Sequence, residues 1–186
     1  MILFILGLII FFLPHLYTPF ARRSREALKK RLGEGPYRGL YSLVSGVGFA
    51  LIIIGWRDAD RTVLYVSPYW LVYVGFALNL AALIFLAAAY LPKGKLAPLL
   101  KHPMLAGVKA WSFAHLLVNG DVRSVILFGS FLAYGVIDRM AVKARNAPTP
   151  AEGPFRNDLI AIAFGGALWA LIYLYLHPYI AGVALR

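Results

Sequence analysis

The chain has 186 residues, of which 61% are hydrophobic, and a mean hydropathy of +0.72. That leaves too little polar surface for a soluble domain of this length and makes an integral membrane protein the expected class. The net charge of +11 sits in short runs between apolar segments, the pattern of topology signals and not of a nucleic-acid surface, and the absence of cysteine excludes disulfides, thiolate metal sites and cysteine nucleophiles.

The hydrocarbon core of a bilayer is about 30 Å thick and needs about 20 apolar helical residues to cross it. The first such segment, 2–21, has no basic leader and no small-residue cleavage site, so it reads as a retained span and not as a removed signal peptide. His15 lies late in it, directly after Pro14, where a kink would free a carbonyl for a neighbour. SREALKKRLGEG, 24–35, predicts a short amphipathic helix with Ser24 as cap and Gly33 as stop. Its plain role is to orient the chain at the membrane surface.

Spans follow at 37–56 and 68–91, the latter carrying Asn79 as expected interhelical glue. The segment 102–120 is long enough to cross but more polar, and it closes on Asn119-Gly120-Asp121, a turn whose side chain caps the next helix, with Arg123 beside it. Spans at 122–140 and 159–181 complete the set, separated by the linker APTPAEGP at 147–154. Gly46, Gly48, Gly129, Gly135, Gly165 and Gly166 permit close helix approach. The expected fold is all-α, a polytopic bundle of six transmembrane helices with short loops, forming one domain over 1–186. Fourteen of the nineteen basic residues fall at 22–38, 93–101 and 139–156. The positive-inside rule places those loops in the cytoplasm and both termini outside.

All four histidines lie within or at the ends of predicted spans. Ionisable groups in lipid are costly, so they face a bundle interior and serve something, or find one interhelical hydrogen bond. Two neutral imidazoles on facing helices can clamp a haem iron. Lys109, Ser112 and His115 form one polar stripe at helical spacing, with Trp111 on a neighbouring face. His102 precedes Pro103 at a helix start and reads as an interfacial or capping group. His177, among Tyr173, Tyr175 and Tyr179, reads as interfacial.

The motif HPML-G-K-W-AHLL-NGD-S-LFG at 102–129, with GEGPYRGLYSLVS at 33–45 and His15, resembles the NnrU family of bacterial membrane proteins. The resemblance implies an inner-membrane protein associated with denitrification and nitric oxide metabolism, related to the plastid zeta-carotene isomerase, a haem b enzyme. It makes His15 and His115 the candidate axial ligands and His102 a further essential histidine, and the polar stripe adds Lys109 and Trp111 as candidate residues of a cofactor-lined seam. A histidine that the isomerase carries late in its second span has no counterpart in GWRDAD, 55–60. At about 1.5 Å per residue, depth alone pairs His15 with His102, or His115 with His177, more easily. The partners so implied are the bilayer and an apolar small molecule or nitric oxide.

Three other readings compete. Lys101-His102-Pro103 through Gly107 is similar to the late-helix motif of membrane methyltransferases that use S-adenosylmethionine, but 141–157 offers Glu152 as its one acid. A channel or transporter is compatible with the helices but lacks an inverted repeat or broken-helix pair. A non-catalytic membrane assembly factor is the third.

Overall fold

The computed structural model describes residues 1–183. They are predominantly helical, and among them the only β pairing is an isolated antiparallel bridge, Val63 with Asp121. Two compact units are interleaved along the chain, Met1–Tyr65 with Gly120–Asn146, and Val66–Asn119 with the segment from Ala147 onward.

The first unit holds α1 (Ile2–Phe20), α2 (Arg22–Leu32), α3 (Glu34–Trp56) and α7 (Val122–Ala144). Its core is aromatic and aliphatic: Phe4, Leu8 and Phe12 of α1 pack against Ile52 of α3, with Phe131 and Tyr134 of α7 at the margin. The close approach of α1 and α3 depends on glycine. A Cβ at Gly48 would lie 2.4 Å from the Phe11 nitrogen, one at Gly55 2.3 Å from that of Phe4, and one at Gly7 2.6 Å from that of Ile52. Small residues that let backbones touch are the usual basis of helix association in lipid. Gly46, Gly129 and Gly166, expected to serve the same purpose, face open space.

The far end of this unit is closed by the loop after α3. Asp121 caps α7, its Oδ1 accepting from the Ser124 N–H at 3.1 Å and its Oδ2 from the Ser124 hydroxyl at 2.7 Å, as the turn chemistry predicts. Arg123 donates to the Trp56 carbonyl at 3.0 Å, lies 4.2 Å over the Trp56 ring, and pairs with Asp121 at 3.4 Å. Asp60 accepts from the Thr62 hydroxyl and then from its N–H, and these bonds hold its carboxyl below the usual range.

The second unit holds α4 (Leu71–Tyr90), α5 (Leu96–Leu100), α6 (Pro103–Val118) and α8 (Phe155–Leu171). The last of these continues through a π turn, Ile172–Leu176, into α9 (His177–Ala181). The buried face of α6 carries small residues, Gly107, Ser112 and Ala114 among them, and packs along α4. A Cβ at Gly107 would fall 2.9 Å from the Ala82 carbonyl, and one at Gly165 of α8 2.7 Å from the Ile84 Cα. Phe76, Trp169 and Tyr173 form an aromatic cluster between α4 and the π turn, with the Trp169 and Tyr173 rings stacked at 5.1 Å.

Five helical segments are long and apolar enough to cross a membrane: Ile2–Phe20, Glu34–Trp56, Leu71–Tyr90, Val122–Ala144 and Phe155–Ala181. The predicted sixth, 102–120, contracts to the 16 residues of α6, which at 1.5 Å each span about 24 Å, short of the hydrocarbon core. Lys101, at φ 62°, and the extended Asn119 bound it at either end. Three smaller expectations change. The cap position of α2 is Ala21, and Ser24 lies inside the helix, because Ala21 alone separates it from α1. Gly33, at φ 88°, ends it as predicted. Asn79 donates to Gly75 of its own helix at 2.9 Å instead of bridging helices.

Candidate functional site

His15 is set by α1 and surrounded by three helices of its own unit. Its Nδ1 donates to the Phe11 carbonyl at 2.6 Å, one turn back. The imidazole stacks on the Phe11 ring at 4.3 Å, with Tyr41 of α3 at 5.3 Å and Tyr134 of α7 at 5.6 Å in an edge arrangement. The cage is therefore aromatic, with phenols on two sides. One turn beyond Tyr41, the Ser45 hydroxyl is buried with no hydrogen-bond partner. Helix α1 runs through Pro14 and Pro19 without breaking. Pro14 has no N–H for the Ile10 carbonyl, but the bond that fixes the imidazole goes to Phe11.

His115 repeats this local geometry on α6 in the other unit. Its Nδ1 donates to the Trp111 carbonyl at 2.8 Å, again one turn back, and the Trp111 ring lies 5.1 Å from the imidazole. Asn119 donates to the His115 carbonyl at 3.0 Å and so finishes the helix. A neutral imidazole has one N–H. With that proton on Nδ1 and given to a carbonyl, the lone pair belongs to Nε2. Both histidines are thus held in the same tautomer by the same bond, which is how metal-ligating histidines are oriented.

The rest of the predicted set divides. Ser112, in the middle of the polar stripe, is fully buried and turns its hydroxyl to the Val108 carbonyl at 2.8 Å, so it satisfies itself within α6. Lys109 and His115 are half-buried on either side of it. His102 is the residue before α6, and its carbonyl accepts from Ala106 at 3.0 Å. Pro103 occupies the first helical position, where a missing N–H costs nothing. His177 is half-buried, and its Nδ1 donates to the Val183 carbonyl at 2.7 Å. Glu152 lies 4.0 Å from Lys95. Among the described residues, no three or more histidine and acidic side chains gather as a metal-ion cluster.

Two arrangements escape sequence reasoning. The aromatic wall of His15 comes from three helices, and no spacing in the chain shows that Tyr41 and Tyr134 meet it. Asp158, at the start of α8, is only 5% exposed and accepts from the N–H groups of Lys95 at 2.8 Å and Leu96 at 3.0 Å. Its pattern signal is a lone acid in a first helical turn, which any exposed residue there would also give.

These elements define an all-helical, multi-pass membrane protein with histidines fixed inside its helices. The chain belongs to the NnrU family, whose NnrU protein description matches residues 3–185. No curated protein and no solved structure matches it.

Proposed function

We propose that this NnrU-family membrane protein binds haem b, with His15 in the first unit and His115 in the second each a candidate iron ligand through Nε2. One observation carries the reading. Both imidazoles give Nδ1–H to the carbonyl four residues earlier, at 2.6 and 2.8 Å, and so present the nitrogen that a haem iron takes. The donor chemistry fits: neutral imidazoles in apolar surroundings, aromatic faces beside each, and no thiol in the chain. When bound, the group would supply an iron centre able to take nitric oxide or to act on an apolar substrate, as the family's association with denitrification and its isomerase relative suggest.

The chain's own residues would do the rest. The Phe11 and Trp111 carbonyls hold the ligand tautomer. Phe11, Tyr41 and Tyr134 fix the plane of the His15 ring and keep its surroundings dry, which sets the local polarity. Lys109 and Trp111, on the same helix as His115, complete the lining on that side.

The test is an optical spectrum of protein expressed with supplementary haem and purified in mild detergent. Wild type is expected to show a b-type haem spectrum. His15→Ala and His115→Ala should each lose it, while His177→Ala keeps it. Haem-free wild type, or a spectrum unchanged in both alanine variants, refutes the proposal.

We further propose that the protein resides in the bacterial inner membrane with 22–31, 93–101 and 139–156 on the cytoplasmic side, supported by the concentration of basic residues there. A helix shorter than the hydrocarbon core can cross where the bilayer thins around it, and with α6 as such a sixth crossing both termini lie outside. A C-terminal alkaline phosphatase fusion should then be active, and an inactive one beside an active cytoplasmic reporter at the same position reverses the assignment.

A further inference from the structure

Helix α2 presents two unlike faces. At about 100° per residue, Arg25, Leu28, Lys29 and Leu32 fall on one side. Arg25 lies 5.7 Å over the Tyr37 ring and Lys29 is 3.9 Å from Glu34, so this side is turned to α3. Arg23 and Lys30 lie opposite, Arg31 falls between the two sides, and Arg22 opens the helix beside Lys29; all four are exposed and together make a broad outer arc. The one acid on the helix, Glu26, already pairs with Arg25 at 2.8 Å and lies 3.9 Å from Lys29. None of the four exposed cations pairs with an acidic side chain among the described residues, so the arc carries four uncompensated charges.

Its position says what covers it. Arg22 begins two residues after the membrane-crossing α1 ends at Phe20, and Leu32 precedes α3 at Glu34 by two. Two residues reach at most about 7 Å, so both ends of α2 stay within about one Debye length, roughly 8–10 Å, of the ends of crossing helices. Phe20, 70% exposed at the end of α1, marks the apolar edge beside the charges. Between them lies an open cleft of about 340 Å³ lined by Pro19, Phe20, Ala21, Arg22, Arg23 and Ser24, apolar on the side of α1 and cationic on the side of α2.

We infer that this arc is a seat for anionic phospholipid headgroups, with the lipid phosphate between Arg22 and Arg23 and a second headgroup along Lys30 and Arg31. Guanidinium pairs suit phosphate because their forked N–H groups meet two oxygens at once. The bilayer supplies that phosphate at the depth where α2 is pinned, and an acyl chain leaving the headgroup runs along the exposed apolar edge at Phe20. A soluble acidic partner has the charge but no use for that edge.

The experiment uses the full chain, delipidated in mild detergent and given phosphatidylglycerol or phosphatidylcholine, with retained lipid counted by native mass spectrometry and melting temperature followed in parallel. Wild type should retain about threefold or more phosphatidylglycerol over phosphatidylcholine and melt higher with the former, an effect that weakens at high salt. The variant R22Q/R23Q/K30Q/R31Q should bind the two lipids equally, and R22Q/R23Q alone should lose about half of the preference. Glycerol phosphate at matched concentration should not raise the melting temperature, since it lacks the chain. Equal retention in wild type, an undiminished preference in a folded fourfold variant, or stabilisation by glycerol phosphate equal to that by the lipid overturns the assignment.

Discussion

Gly48→Leu is expected to lower the melting temperature of the detergent-solubilised protein by on the order of 10 °C, whereas Gly46→Leu, two residues away on the same helix, should shift it by little. A side chain at Gly48 meets the Phe11 nitrogen at 2.4 Å, the Phe11 Cα at 2.7 Å and the Gly7 carbonyl oxygen at 3.0 Å, and all three are backbone. No rotamer change can clear them, so α1 and α3 must part. Overpacking costs about 1–3 kcal/mol where side chains can yield and more where they cannot. For a chain of this size each kcal/mol is worth about 2–4 °C. Gly46 has nothing within 4 Å, and a leucine there meets lipid. The substitution also reaches the histidine. Phe11 gives both the carbonyl that takes the His15 proton and the ring on which the imidazole stacks, so Gly48→Leu should disturb any spectrum that depends on His15. Equal shifts from the two leucines would mean that the α1–α3 seam does not carry the stability assigned to it.

Composition and charge make the membrane class and most helices legible, because a bilayer tolerates few backbone arrangements and demands long apolar runs. The limits of the helices are less so. Helix α3 starts at Glu34, not at Tyr37, because Pro36 falls in the first turn, where its missing N–H breaks no bond. Helix α8 starts four residues early, at Phe155, for want of any stop after Pro154. The length of α6 depends on a left-handed residue, Lys101, that carries no turn signature. The π turn after Leu171 inserts into an unbroken apolar pattern and has no composition of its own.

The candidate site was legible to the extent that histidines in apolar helices are rare and costly. What a linear pattern omits is the side chain's own choice of partner. Ser112 shares a stripe with His115 and bonds backward to Val108, while His115 bonds backward to Trp111 through Nδ1. The same spacing thus carries a hydroxyl and an imidazole that each bond to the carbonyl one turn back in their own helix. Glycine contacts show the same limit: Gly46 and Gly48 look alike in sequence, and only the path of α1 separates them.

Asp158→Ala should destabilise the second unit by about 2–4 kcal/mol, since it takes the acceptor from two backbone N–H groups in a part-buried site, at about 1–2 kcal/mol each. The carboxylate joins segments far apart in sequence: Oδ2 takes the Lys95 N–H at 2.8 Å and Oδ1 the Leu96 N–H at 3.0 Å, which starts α5. Asn157 adds a bond to the Lys93 carbonyl at 2.8 Å, and the Gly153 N–H donates to the Gly94 carbonyl at 3.2 Å. Gly94 has to be glycine, as a Cβ there would overlap the Asp158 carboxylate. Lys93 turns back to the Ala88 and Ala89 carbonyls at the end of α4. The loop from α4 to α5 is therefore tied to the start of α8 by four bonds, two of them made by one acid. Loss of that acid should free the loop before it melts the helices, and Lys93 and Lys95 make the freeing visible as trypsin cleavage. Cleavage there should accelerate in Asp158→Ala and less in Asp158→Asn, which keeps one carbonyl oxygen. Asn157→Ala, which removes a single bond, should fall nearest wild type. If Asp158→Ala resists trypsin as well as wild type does, the carboxylate does not hold the loop, and the burial of Asp158 has another cause.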